Sequence, residues 1–407
     1  MTRKGVWNLQ QVRDKYLQSL WANDHSLWSW GANEYGILGL AQSVPTKISS
    51  PTQVGSDATW KASGAGNNEN RLTSSAYARF AIKEDGTLWS WGFNTEGILG
   101  TNQPTANPSQ RSSPVQVGSD TTWSSLSGGW KAMGAVKTDG TLWVWGNNTY
   151  GELGQNSQVK YSSPVQIPGT NWSSAASGGA NFLARKTDGT FWSWGYGASG
   201  RQGQNNNISY SSPIQIPGTD WSEQYCSNQS TVTAIKTDGT LWAWGRNYEG
   251  QLGQNQAYPG RNAASSPIQV GSGGDWAILA KSAAHKTRNP IAIKTDGSLW
   301  IWGENENGGL GQNDRTNRSS PVQVPGTWST TVKPTGNGYG RSTFAVKPDG
   351  TLWSWGANES GGLGIDDTIK RSSPVQVPGS AIWGDISATG IDYGASGIKV
   401  GLTPSQL

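Results

Sequence analysis

Metal chemistry or covalent catalysis would need histidines, cysteines or grouped carboxylates in recognisable spacing. The chain of 407 residues holds two histidines, His25 and His285, and one cysteine, Cys226. That inventory cannot build a His-rich metal site, and no Cys–His pair reads as a nucleophile with its base. His25 follows Asp24 and is expected in a hairpin turn. Asp139, Asp188 and Asp238 each precede a glycine. Asp-Gly between apolar runs is a hairpin signal, so these carboxylates have a complete explanation as turn formers. The glycines fall between strands rather than ahead of helices, so no phosphate-binding loop is expected. These observations point away from an enzyme, and from any cofactor or bound metal.

What remains is recognition chemistry carried by arginine and tyrosine. The longer loops hold Arg71, Tyr77 and Arg79, then Tyr258 and Arg261, then Lys281, His285, Lys286 and Arg288, then Tyr339 and Arg341. Arg and Tyr are enriched in protein contacts, which makes these the candidate binding residues. Glu69, Glu306 and Asp314 are interspersed among them. Across the chain 31 basic residues meet 27 acidic ones, a net charge of +4 with no basic run. A nucleic-acid partner is therefore not expected. No stretch approaches the roughly 20 apolar residues that span a bilayer. Arg3 and Lys4 are followed by no apolar segment, so no secretory leader is expected and the protein reads as soluble.

The elements that hold these loops are set by a repeat. Leu-Trp-x-Trp-Gly, once with Phe for Leu, puts its second Trp at 30, 91, 145, 194, 244, 302 and 355. Ser-Ser-Pro follows each copy, with its proline at 51, 114, 164, 213, 267, 321 and 374, and a third Trp closes the units at 60, 123, 172, 221, 276, 328 and 383. These positions account for 21 of the 24 tryptophans, leaving Trp7, Trp21 and Trp130. Each unit reads as four short antiparallel strands, A to D. In 123–169, strand A starts at Trp123 and strand B is Gly134–Lys137. Strand C is Thr141–Trp145, and strand D begins at Pro164. Seven such units predict an all-β, seven-bladed propeller, whose radial closure leaves only short, protected edges. Residues 383–400 supply A- and B-like segments without a C strand, and Leu27–Trp30 is a C strand with little before it. Pairing the two ends would complete one blade, although Ser19–Ala22 offers an alternative B strand.

The motif Trp-Gly-x-Asn-x-x-Gly-x-Leu-Gly, as in Trp244–Gly253, resembles the regulator of chromosome condensation repeat family over about residues 19–400. The resemblance implies the same seven-bladed propeller. One copy departs, with Gly197 for the Asn and Gln202 for the Leu. Family members include GTPase exchange factors that bind chromatin, but Gly154-Gln155-Asn156 stands where eukaryotic copies often carry Gly-His-Gly. The repeat style looks like the bacterial and bacteriophage branch, where the propeller serves as an interaction scaffold. Gly129–Met133 resembles, imperfectly, the Gly-Trp-Arg-His-Thr motif of a plant ultraviolet-B photoreceptor of similar architecture; photoreception is not expected.

Strand parity places the short B–C and D–A turns on one face of the ring, and the A–B and C–D loops on the other. The second set varies in length: 61–79, 277–290 and 329–343 read as long A–B loops, and 101–111 and 254–264 as enlarged C–D loops. Residues 1–18 stand outside the propeller domain of 19–407. A helix capped by Asn8 would present Leu9, Val12, Tyr16 and Leu17, with Trp7 beside its start, either packed over the propeller or as a docking peg for a partner. Gly5–Gln10 resembles a short terminal motif of tailed-phage structural proteins. The resulting expectation is a non-enzymatic propeller, either a virion surface or tail protein used in host attachment, or a cellular regulatory scaffold. In the first case its partners are other virion proteins and a host surface protein or glycan, and its location is the virion. In the second it is cytoplasmic. Membrane insertion is expected in neither.

Overall fold

The protein is described by a computed structural model covering residues 25–42, 47–63, 70–103, 110–228, 230–257, 260, 262–281, 288–337, 341–379, 381–388 and 394–402. The strands form seven four-stranded antiparallel sheets, the blades of a propeller. Blade 1 spans Leu72–Gln116, blade 2 Trp123–Ile167, blade 3 Trp172–Ile216 and blade 4 Trp221–Gln269. Blade 5 spans Trp276–Val324 and blade 6 Thr335–Gln376. Blade 7 is built from both ends of the described chain: Ala381–Ala388 and Ala395–Leu402 supply strands A and B, and His25–Ala32 and Lys47–Gln53 supply C and D. The seam pairs His25 with Val400 and Trp30 with Ala395, and the hydroxyls of Ser29 and Ser396 meet at 2.6 Å. His25 thus opens strand C instead of sitting in a turn. Ser19–Ala22 and the expected N-terminal helix lie outside the described residues.

Strand C shows why the repeat needs two tryptophans. Successive side chains alternate faces and residues two apart share one, so both indoles point the same way. The second is fully buried in every blade, and the first stays half-exposed. The buried indole reaches the preceding blade, where its Nε1–H donates to a carbonyl of the C–D loop. Trp91 donates to Ile37, Trp145 to Ile98, Trp194 to Glu152 and Trp244 to Arg201, at 2.7–3.0 Å. Trp302 donates to Gln251, Trp355 to Gly309, and Trp30 closes the ring on Gly362 at 3.0 Å. These indoles anchor the inter-blade cores, each burying on the order of 150–250 Å².

The loop that receives each latch is held by its own Asn. Asn148 Oδ1 accepts from Leu153 N at 2.9 Å, and Asn33, Asn94, Asn247, Asn305 and Asn358 do the same for their leucines or equivalents. In blade 3 the substitute works differently: Gln202 Nε2 donates to Tyr196 O, and Gly197 N donates to Ser209 Oγ. The glycine inside the loop is required at Gly151, which has φ 77°, and a Cβ there would lie 2.6 Å from Ser211 Cα of the next blade.

The opposite face is tied as regularly. Asp139 Oδ1 accepts from Thr141 N and Oγ1, and Thr141 Oγ1 accepts from Trp143 Nε1 at 2.9 Å. Those hydrogen bonds hold the Asp139 carboxyl below its ordinary value. A lysine from strand B lies over the two tryptophans beside it, as Lys137 does over Trp123 at 4.7 Å and Trp143 at 4.2 Å. Strand D departs from expectation. It starts at Tyr161, and its Ser-Ser-Pro falls at a register shift between Tyr161 and Val165. A bulge on an edge strand tolerates a proline that has no N–H to donate.

If the indole latch holds the blades together, Trp145→Phe should lower stability by about 2–4 kcal/mol, since it opens a cavity and strips a buried carbonyl of its donor. Urea denaturation followed by fluorescence checks this, with a lower midpoint and an unchanged slope expected.

Candidate functional site

Contacts across the ring fix which loops share a face. Tyr77, from the A–B turn of blade 1, packs against Tyr35 from the C–D loop of blade 7 at 5.8 Å. Arg288, at the end of the A–B loop of blade 5, meets Glu249 from the C–D loop of blade 4 and Glu304 of its own blade, both at 3.1 Å. The A–B and C–D loops therefore lie together, as strand parity requires. Among the described residues, all the exposed large apolar side chains fall in C–D loops: Tyr35, Tyr150, Val159, Ile208, Tyr248 and Ile369. Tyr248 is 48% exposed, and Tyr35 and Tyr150 are 40%.

These rings are held, not loose. Tyr35 takes φ 59° inside its loop and lies 4.7 Å from Phe93 of the next blade. Tyr150 lies 4.3 Å from Tyr196, and the Arg201 guanidinium lies 4.8 Å from the Tyr196 ring. Burial lowers the Arg201 guanidinium to about 10, with Tyr196 pulling it up, so it stays charged at neutral pH. Arg246 lies over Tyr248 at 4.3 Å. Burial pushes the Glu304 carboxyl up, while Arg288 pulls it down. The result is a face of fixed tyrosines and arginines with paired carboxylates between them.

Beneath it, the innermost A strands line the propeller axis, where several blades meet in a buried polar cluster. Lys281 of blade 5 reaches across to Asp385 of blade 7 in an ion pair, and its Nζ also donates to Leu72 O of blade 1 at 3.1 Å and to Ser63 Oγ at 3.2 Å. Asp385 in turn accepts from Ser63 N at 3.0 Å. Burial lowers Lys281 against the pull of Asp385. Lys333 of blade 6 is buried beside it, and burial together with the Lys281 charge brings its ammonium down to about 7. Lys281, Ser63, Lys333 and Asp385 come from blades 5, 1, 6 and 7. An ion pair of this kind fixes geometry more than it adds stability.

The candidate residues drawn from sequence divide between the two regions. Tyr77 and Arg288 belong to the tyrosine and arginine face. Arg79 does not, because residues 61–79 are not one loop. Leu72–Ser74 is strand A and Ala78–Ile82 is strand B, with the extra residues inserted after Trp60. Arg79 lies on that B strand, fully buried, and donates from Nε to Ile37 O at 3.1 Å and from Nη1 to Ser387 O at 3.4 Å. It pins blade 1 to blade 7, and burial lowers it to about 9. Arg71 is buried too, with its N–H donating to Ser63 Oγ at 2.7 Å. Arg341 precedes strand B of blade 6, and its carbonyl accepts from Ala357 N. Tyr258, Arg261, His285, Lys286 and Tyr339 lie outside the described residues, as do Trp7, Leu9, Val12, Tyr16 and Leu17. Tyr35, Tyr150, Tyr196, Arg201, Arg246 and Tyr248 were not singled out by sequence. Their signal is the variation within Trp-Gly-x-Asn-x-x-Gly-x-Leu-Gly, in side chains that the backbone latch leaves free. Among the described residues no group of three or more His, Cys, Asp or Glu could hold a metal ion, and no helix is long and apolar enough to cross a membrane.

Comparison with known proteins gives one family. The RCC1-like domain profile matches residues 26–396. Among curated relatives, the ultraviolet-B receptor UVR8 of Arabidopsis thaliana is 30% identical over 90 residues, covering 22% of this chain and 20% of the receptor. The protein RCC2 homolog of Danio rerio is 28% identical over 127 residues, covering 30% of this chain and 24% of the relative. The matched segments thus span about a fifth to a quarter of those proteins. Prp20p from Saccharomyces cerevisiae, a protein studied for its binding to Gsp1p and histones, superposes with a TM-score of 0.80 at 16% identity. That superposition covers 94% of this chain and 93% of Prp20p, and it shows the shared fold.

The buried ammonium of Lys333 gives the axis a pH signature. Folded, it releases its proton near pH 7; unfolded, it holds it to the ordinary lysine value of 10.5. Between those values the unfolded chain binds more protons, so stability should rise with pH, by up to about 1.4 kcal/mol per unit. Denaturation midpoints measured from pH 7 to pH 9 should climb in the wild type, and Lys333→Met should flatten the climb.

Proposed function

The chain belongs to the RCC1-like domain family, and on that premise we propose that it is a protein-binding propeller of the regulatory kind, acting by recognition and not by catalysis. The observation that carries this reading is that, among the described residues, the exposed large apolar side chains fall in the C–D loops, where tyrosines stand beside arginines. Exposed aromatic anchors held in place before binding lose little entropy on contact, which is what an interface hot spot requires. The polar cluster at the axis supports the same use, because it ties blades 5, 7 and 1 together beneath that face.

Gsp1p and histones, for which Prp20p was studied, are the first classes of partner to try. A GTPase-directed regulator fits the relatives named above better than a virion component does. The virion reading draws on the repeat style and on Gly5–Gln10, outside the described residues, and stands second.

The test is affinity capture from the native cell lysate with the wild-type chain and with a Tyr35→Ala, Tyr150→Ala, Tyr248→Ala variant. A partner retained at least tenfold better by the wild type is expected, since each anchor contributes on the order of 2 kcal/mol. Equal retention of every captured protein by a folded variant would remove this face as the binding surface.

A further inference from the structure

The seam between blades 7 and 1 differs from its counterparts in one buried residue. Opposite the buried strand-C tryptophan, strand B of blade 1 places Arg79, paired with Trp91. In blades 2, 3 and 4 the same place holds Met133, Phe182 and Val232, in blade 6 Thr343, and in blade 7 Ala395. None of these carries a charge. The Arg79 side chain is fully buried and holds both halves of the closing blade. Its Nε donates to Ile37 O at 3.1 Å, from the N-terminal half, and its Nη1 to Ser387 O at 3.4 Å, from the C-terminal half.

The charge is not needed for that hold. In blade 6, Thr343 Oγ1 donates to Gly309 O at 2.8 Å, the same carbonyl that receives the Trp355 indole. Arg79 Nε and the Trp91 indole share Ile37 O in the same way. A neutral hydroxyl therefore does in one seam what a cation does in the other. Nor is the cation matched. Buried Lys281 lies against Asp385, and buried Arg201 has the Tyr196 ring at 4.8 Å. Arg79 meets two backbone carbonyls, and its Nη2 finds no acceptor among the described residues. Burial lowers it to about 9 with no carboxylate pulling it back, and it still carries its charge at neutral pH. An unmatched buried charge makes the closed seam costly.

The loop that closes this seam is strained at a second point. Near the end of each C–D loop motif one residue takes a positive φ, and its N–H donates to a serine carbonyl of the next blade. Asn fills this place at 102, 156, 205, 255 and 313, and Asp at 366. In blade 7 it is Ala41, with φ 57°, donating to Ser112 O at 2.8 Å. Asn and Asp visit that region with the help of their short polar side chains, which alanine lacks. Asn156, Asn205, Asn255 and Asn313 also accept a serine hydroxyl of the next blade at 3.4–3.5 Å, a tie that Ala41 cannot make.

The inner edge of the same seam is firmly tied. Ser74 Oγ donates to Ala388 O at 2.5 Å and Ser63 N to Asp385 at 3.0 Å, both on the innermost strand of blade 7. Arg79 and Ala41 lie outward of these bonds, on strand B and in the C–D loop. We propose that the seam between blades 7 and 1 is the opening point of the ring, hinged on the innermost strands and parting at the C–D loop of blade 7. Opening draws Tyr35 away from Tyr77 and Phe93, which it touches when the seam is closed, and brings the Arg79 guanidinium into water. The device belongs to the seam itself, so it stands or falls separately from the partner-binding reading of that face.

Hydrogen–deuterium exchange of the full chain, read by mass spectrometry, tests it. Leu38, Gly39 and Ala41 donate the same backbone hydrogen bonds as Leu153, Gly154 and Asn156 of blade 2, so a difference in exchange measures opening. Corrected for intrinsic rates, residues 33–42 should exchange about tenfold faster than residues 148–157. Arg79→Met, which installs the residue used by blade 2, should slow that exchange about tenfold and raise the urea midpoint. Ala41→Asn, at an exposed position that leaves the core untouched, should slow it in the same direction. The proposal is overturned if residues 33–42 exchange no faster than residues 148–157, or if Ala41→Asn leaves their exchange unchanged. A lower midpoint for Arg79→Met would make the cation a net clasp on the seam and would overturn it equally.

Discussion

Each blade is fastened to the one before it by a single indole N–H aimed at a loop carbonyl, and the architecture depends on that bond being made seven times. The indole must be buried to make a dry seam, and a buried N–H must find an acceptor. The acceptor is a carbonyl of the neighbouring C–D loop, so that loop must hold one conformation. The Asn staple and the glycine packed against the next blade's serine supply it. Most of the repeat motif follows from this requirement. Blade 3 shows the rule by exception: Gln202 and Gly197 replace the usual pair, yet Arg201 still offers its carbonyl to Trp244.

A loop pinned at its ends can vary only where no pin acts. The residues after Trp-Gly and Asn differ from blade to blade, and there the structure puts Tyr35, Tyr150, Arg246 and Tyr248. On the other face, the Asp–Thr–Trp chain and the lysine over the paired tryptophans repeat with little change. The division of labour between the two faces is thus a consequence of where hydrogen bonds are obligatory. The axial ion pair of Lys281 and Asp385 adds a second constraint, joining blades 5, 7 and 1 under the face that varies.

Much of this is legible in the sequence, and the failures have identifiable causes. Three tryptophans per unit reveal the blades, and the missing strands at the two ends reveal the closing blade. Asp139, Asp188 and Asp238 are turn formers as their Asp-Gly context predicts. Arg79 reads as a loop residue in sequence because an insertion inside strand A looks like a long A–B loop, and Leu72–Ser74 is too short to show its alternation. The start of strand D is displaced from the sequence expectation because proline marks an expected boundary, while here it occupies a bulge. The Lys281–Asp385 pair has no local signal at all, since 104 residues separate its members. Tyr35 and Tyr248 carry no distinct signal for the opposite reason: they sit inside the most regular motif in the chain.

The account rests on the ring being closed in one register by the two ends of the described chain. The direct test is a Ser29→Cys, Ser396→Cys variant, since those side chains face each other across the closing seam. Mild oxidation should give an intramolecular disulfide joining the two peptides, seen by mass spectrometry of a digest, with a higher denaturation midpoint than the reduced form. Cysteines that stay free, or that link only between molecules, would contradict closure in this register.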